Sequence, residues 1–224
     1  MGIVNIIFGA AMTNAEPTAS DPRPYHHGDL RRALIDAALE LVTEEQDWSF
    51  SLRNVARRAR VSHNAPYNHF ADKGELLAAV AAEGFEALRA RLLSATAGIE
   101  APGAALAAAA LAYVRHCVEN PALYRLMFGP ALATPSGDRP AEARSAGAKA
   151  RAVLEEIILR GAQSGAFAIS PDDGCELDMA ALSAWSAVHG MTMLVIDDLP
   201  GTRRPLDQLV GGLMRVLGRG LAPR

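Results

Sequence analysis

The sequence predicts an all-α protein. Apolar residues recur at steps of three and four along most of the chain, the spacing of amphipathic helices. Alanine is abundant while aromatic residues make up only 5%, a composition that favours helix over strand. No run shows the sustained alternation of a half-buried strand. With 224 residues, 50% of them apolar and 21% charged, the chain can bury a sizeable core in one or two domains.

The formal net charge of −3 excludes a uniformly basic polyanion binder but leaves room for a local basic surface. Cys117 and Cys175 are far apart and lack CxxC spacing, so neither a disulfide framework nor a zinc cluster is expected, and a reducing cytoplasm fits. The opening MGIVNIIFGAAM is apolar, but no Lys or Arg precedes it and it is far shorter than a membrane span. An extended start, with Met12 as an alternative initiator, is the simpler reading. TNAEPTASDPRP at 13–24 has the Pro/Ser/Asp content of a disordered arm, so residues 1–24 are set apart from the folded chain.

The first helix is expected from about residue 28. Leu30, Ala33, Leu34, Ala37, Ala38, Leu41 and Val42 form its apolar stripe, and Asp29 suits its N-terminus. After a loop with Trp48 and Phe50, Ser51 should cap a short helix whose inner face is Leu52, Val55, Ala56 and Ala59. A tight turn at Arg60-Val61 follows. Ser62 is expected to cap a third helix to about Phe70, making Pro66 its fourth residue, where proline costs about one hydrogen bond and stiffens the first turn. Lys73 leads into a long helix ending near Gly98, and APG at 101–103 separates a unit of 25–98 from one of 99–224. The second unit also reads as helical. Helices are expected at 103–118, from Pro121 through PALYRLMFG, at about 139–164, at about 175–198, and at about 205–220.

Two capped helices joined by a tight turn make a helix-turn-helix, here 51–70. The outward positions at the start of its third helix are His63, Asn64, Ala65 and Asn68. Asparagine can pair with adenine, and alanine can meet a thymine methyl. Tyr67 and Lys73 offer phosphate a hydroxyl and a mobile cation, and Ser51 offers a hydroxyl beside free amides. Trp48 to Lys73 holds Arg53, Arg57, Arg58, Arg60 and Lys73 against Asp72, a local balance of 5 − 1 = +4. A solvated helix face without a partner is the bland alternative.

Residues 25–77 closely resemble the DNA-binding domain of the TetR/AcrR family of bacterial transcriptional repressors. The resemblance rests on YHHGDLRRALIDAALEL, SLRNVA and VSHNAPYNHFADKGELL; the most specific points are Val61-Ser62, Tyr67-Asn68-His69-Phe70 and Lys73. SAWSAVHGMTMLVID, with Trp185, His189 and Gly190, and PALYRLMFGP resemble a regulatory subtype named for its Trp…His-Gly motif. The resemblance implies a three-helix helix-turn-helix DNA-binding domain followed by a helical-bundle domain for ligand binding and dimerisation. It implies that His63, Asn64, Ala65 and Asn68 face bases, and that Ser51, Arg53, Tyr67, His69 and Lys73 serve the backbone. His69 has a second reading, as a buried packing residue. Where most members of the family carry glycine, this chain has Arg60; a left-handed backbone there would cost about 1 kcal/mol, which a phosphate contact could offset.

The resemblance also implies partners: a palindromic double-stranded operator, a second copy of the chain, and a small apolar effector. No cofactor, metal or membrane is expected. Leu206, Leu209, Val210, Leu213, Val216 and Leu217, with Leu182, Trp185, Val188, Met193, Leu194 and Ile196, are apolar around much of their helices, which suits a core on one side and a subunit on the other. Burial within one subunit is the alternative. Candidate effector contacts are Tyr113, His116, Tyr124, Met127, Phe128, Trp185 and His189, although ordinary core is the simpler reading of each. A helical hydrolase or metal protein finds no HExxH or triad spacing, and His116-Cys117 are neighbours that diverge on a helix. A helical interaction module without DNA is the remaining alternative.

Overall fold

The computed structural model describes residues 27–132 and 138–221. The arm expected over 1–24 and the middle of the 130–140 loop lie outside them. The described residues form α1 (His27–Glu45), α2 (Leu52–Arg58), α3 (Lys73–Thr96), α4 (Pro102–Glu119), α5 (Pro121–Phe128), α6 (Ala141–Gln163), α7 (Gly174–Ile196) and α8 (Leu206–Leu221), with short 3-10 turns at Ala65–Asn68 and Pro130–Leu132. None of the described residues is in a strand.

The expected stripe of α1 turns inward: Leu34, Ala37, Ala38, Leu41 and Val42 are buried, joined by Ile35. Ser51 caps α2 through a capping box. Its Oγ accepts from the Asn54 N–H, and Asn54 Oδ1 accepts from the Ser51 N–H at 2.9 Å. Such a cap contributes about 1 kcal/mol. Arg58 ties α2 to α1 by pairing with Glu40 at 3.2 Å and Glu44 at 2.5 Å.

α2 ends in a Schellman turn. The Val61 N–H donates to the Ala56 carbonyl at 3.0 Å and the Arg60 N–H to the Arg57 carbonyl at 3.2 Å. The turn requires a left-handed residue, and Arg60 supplies it with φ of 58°.

The third helix departs from expectation. Instead of a helix capped by Ser62, the chain makes one 3-10 turn, with Pro66 at its second position and no side-chain cap from Asn64. Pro66 has no N–H to return to the Ser62 carbonyl, so that carbonyl is taken by the Ala65 N–H, three residues on, at 3.0 Å. The Tyr67 N–H likewise reaches Asn64 at 3.2 Å. Both the His69 and Phe70 N–H groups then converge on the Pro66 carbonyl, at 3.0 and 2.9 Å, and close the segment.

α3 starts on Asp72, whose Oδ1 accepts from the Glu75 N–H at 2.9 Å. Its 24 residues pack against α1, α4, α5 and α6, so one rod serves both ends of the molecule. α5 crosses it closely at Gly84, where a Cβ would sit 2.7 Å from Met127 Sδ. Most of the buried apolar residues form one continuous cluster from Leu34 to Val210. α7 is long and apolar enough to cross a membrane by length and composition, yet only 28% of that apolar window is buried in the chain.

Candidate functional site

The helix-turn-helix segment presents a polar edge. Ser51, Arg53, Arg57, Arg60, His63, Asn64, Tyr67 and Asn68 are exposed, Tyr67 to 54% despite its ring. His63, Asn64, Tyr67 and Asn68 surround the proline turn, which fixes their spacing with few free torsions. Ser51 is exposed, but its hydroxyl is engaged in the capping box.

Three expectations change. Ala65 was expected to face outward; it is 8% exposed, because the 3-10 turn points its methyl inward beside Pro66. Lys73 is half-buried, with Nζ 5.4 Å from the centroid of the Phe50 ring, so its stem covers the core while its charge stays at the edge. The local balance of +4 is not all available, since Arg58 is paired with Glu44 and Glu40, which hold its guanidinium charged, and Arg58 in turn lowers the Glu44 carboxyl below its ordinary range. His69 is half-buried, between its two readings. Arg31 passes without notice in the sequence: its guanidinium lies 5.4 Å over the buried Phe70 ring.

A second candidate site is a cavity of about 330 Å³ between α3, α4, α6 and α7. Of the candidate effector contacts, Tyr113, Phe128 and Trp185 line it. His116, Tyr124, Met127 and His189 do not, although all four pack nearby. His116 sits one turn beyond Tyr113, buried, with neither ring nitrogen bonded; the Gly84 backbone beside it does not meet hydrogen-bond geometry. Burial lowers the pKa of its imidazole.

Tyr124 and His189 belong instead to a packing cluster at the end of the cavity. The Tyr113 and Tyr124 hydroxyls lie 2.9 and 3.1 Å from His189 Nδ1. Phe128 stands at its centre, 4.9 Å from the His189 ring and 5.2 Å from the Phe85 ring. Desolvation holds the His189 pKa below its ordinary value, raises both tyrosines, and pushes the neighbouring Cys117 thiol up to about 12. His189 therefore acts as a neutral hydrogen-bond partner between α4, α5 and α7.

Three arginines that border the cavity, Arg139, Arg144 and Arg151, were not expected there. The signal was present: residues 144, 147, 148 and 151 share one face of a helix. Among the described residues no group of three His, Cys, Asp or Glu could hold a metal ion.

Known proteins agree with this architecture. Residues 34–80 match the family model described as bacterial regulatory proteins, tetR family. Residues 106–217 match the model of a tetracyclin repressor-like C-terminal domain. A Haemophilus influenzae protein described as an uncharacterized HTH-type transcriptional regulator is 31% identical over 115 residues, 51% of this chain and 56% of its own length. The chain thus spans little more than half of that curated relative. A Rhodococcus sp. RHA1 structure of unknown function is 32% identical, with a TM-score of 0.73, over 90% of this chain and 100% of its own. A TetR family transcription regulator from Marinobacter aquaeolei VT8 shares the fold at 17% identity and a TM-score of 0.64, over 88% of this chain and 97% of its own.

Proposed function

The chain belongs to the tetR family of bacterial regulatory proteins, and on that premise we propose that it is a dimeric transcriptional repressor, released from a palindromic operator by a small molecule. The observation that carries this reading is the exposed, proline-braced cluster of His63, Asn64, Tyr67 and Asn68 beside Arg53, Arg57 and Arg60. In it, side chains able to read base edges sit among side chains able to hold phosphate. We assign base contacts to His63, Asn64 and Asn68. Backbone contacts fall to Arg53, Tyr67 and Lys73, with the Ser51 main chain and His69 alongside. Buried Ala65 has a supporting role.

The division into a DNA-binding unit of 25–98 and a regulatory and dimerisation unit of 99–224 is part of the proposal, as are a cytoplasmic location and the lack of catalysis. The uncovered side of α7 and α8 supports a second copy. Met179, Leu182, Met193 and Leu194 of α7 and Val216 of α8 are 40–69% exposed, with Ser183, Ser186 and Gly190 between them leaving room for close approach. A two-fold pair would set two recognition turns roughly 34–36 Å apart, the repeat of successive major grooves.

The test is direct. The purified chain is titrated with the DNA flanking its own gene at several salt concentrations, and its mass in solution is measured. Two chains on one palindrome, with affinity falling steeply as salt rises, is the expected result. A chain that stays single and binds no flanking palindrome ends the proposal.

A further inference from the structure

The cavity between α3, α4, α6 and α7 has lopsided chemistry. Its walls are apolar, built from Leu88, Leu92, Leu106, Val153, Val188 and other such side chains. Among the described residues, every charged one that borders it is an arginine, and no Asp or Glu does so. The three lie on one side, along the approach to α6 and its first three turns.

They differ in how free they are. Arg139 is fixed to the end of α5, donating to the carbonyls of Met127 and Phe128 at 2.6 Å and of Gly129 at 2.9 Å. It places an immobile positive charge at the wall. Arg151 pairs with Glu155, one turn further along α6, at 2.6 Å. The exposed Arg144 side chain makes no hydrogen bond or ion pair with any described residue. Among the described residues its guanidinium is therefore unpaired at the rim, between the two others.

From this geometry we propose that the cavity takes an apolar chain ending in a single anionic group, with the chain among the leucines and valines and the anion on Arg144 and Arg151. This rests on the reading of the cavity as the effector site. The volume is at the small end for ligand sites, which suits a chain of modest length. A guanidinium fork matches a carboxylate or phosphate by paired hydrogen bonds, and three together repel a cation. Burying the chain supplies affinity, while the arginines select the head group.

The experiment uses the full chain and four probes below their aggregation concentrations: decanoate, decyl phosphate, decanol and decyltrimethylammonium. Binding is followed by calorimetric titration, and operator release is followed separately. Decanoate, decyl phosphate or both should bind at least about tenfold more tightly than decanol, and the cation more weakly still. The preferred anion tells carboxylate from phosphate. Arg144→Ala should remove that preference while decanol binding stays within about twofold. A109L, which fills the cavity, should weaken all ligands that bind, and G147L serves if A109L fails to fold. Equal binding of anion and alcohol, preference for the cation, no binding by any probe, or an unchanged preference in Arg144→Ala would each overturn the inference. An anion that binds by these rules but leaves operator affinity untouched supports the ligand class and counts against the effector reading instead.

Discussion

Arg31 and Glu142 join α1 to α6 across 111 residues of sequence, with Arg31 Nη2 3.1 Å from each carboxylate oxygen. The same guanidinium covers Phe70, which closes the recognition turn. Glu142 stands at the start of the helix whose Ala143, Arg144 and Gly147 border the cavity. A single side chain thus links Phe70 of the helix-turn-helix segment to the first turn of α6, beside the cavity. An occupant that displaces the first turns of α6 would draw on this contact.

Because the pair is 43% and 48% exposed, breaking it should cost less than about 1 kcal/mol of stability. Glu142→Gln is expected to melt close to the parent and to bind operator as the parent does. The loss of operator affinity on adding a cavity ligand should shrink by about fivefold. Operator titrations with and without ligand measure this, and an undiminished response would remove Arg31–Glu142 from the coupling.

Arg60→Gly separates conformation from contact. It relieves a left-handed φ of 58° and should stabilise the fold by about 0.5–1 kcal/mol, read as a higher melting temperature. If Arg60 touches phosphate, operator binding weakens at the same time and its salt dependence flattens by about one charge.

Asn64→Ala and Lys73→Ala should diverge. The first removes a side chain able to read a base and is expected to cost about 1–3 kcal/mol on the operator alone. The second should weaken every DNA sequence alike and reduce the salt slope. Its stem also covers Phe50, so a small loss of stability accompanies it. Binding to operator and scrambled DNA across salt concentrations distinguishes the two, and matching effects would undo the assignment.

Two desolvated histidines, buried His116 and half-buried His189, predict a pH dependence of stability. Burial lowers the pKa of His116 and His189 in the folded chain from 6.5. Below about pH 6.5 the unfolded chain binds protons that the folded chain resists, so stability falls as pH drops towards the depressed folded values, and levels below them. Neither ring nitrogen of His116 is bonded, so His116→Leu should flatten this decline and raise stability on the acid side. Urea unfolding between about pH 7.5 and 5.5 tests it. A slope unchanged by His116→Leu would assign the effect to His189.

Much of the fold was legible because local rules agreed with tertiary packing. The Leu34 to Val42 stripe, the Ser51 cap and the tight turn at Arg60-Val61 follow from spacing and backbone preference, while the left-handed backbone of Arg60 follows from the family resemblance. The third helix differs from its expected form because proline there does more than remove one bond: at the second position it leaves room for a single 3-10 turn. That change also turned Ala65 inward. The cavity was partly legible: aromatic residues drew attention, but which aromatic ring faces space and which faces a neighbour depends on how α5 leans on α3 at Gly84. The arginines are hard to place from sequence because a charged residue on a helix face ordinarily reads as solvent-exposed surface.

If the apolar stripe of Met179, Leu182, Met193 and Leu194 pairs two chains as proposed, it would tie regulation to abundance. While dilute chains remain mostly unpaired, the population of paired chains rises with the square of total concentration. Halving synthesis in that regime would cut promoter occupancy nearly fourfold at low filling, making cell dosage itself a sharpened input.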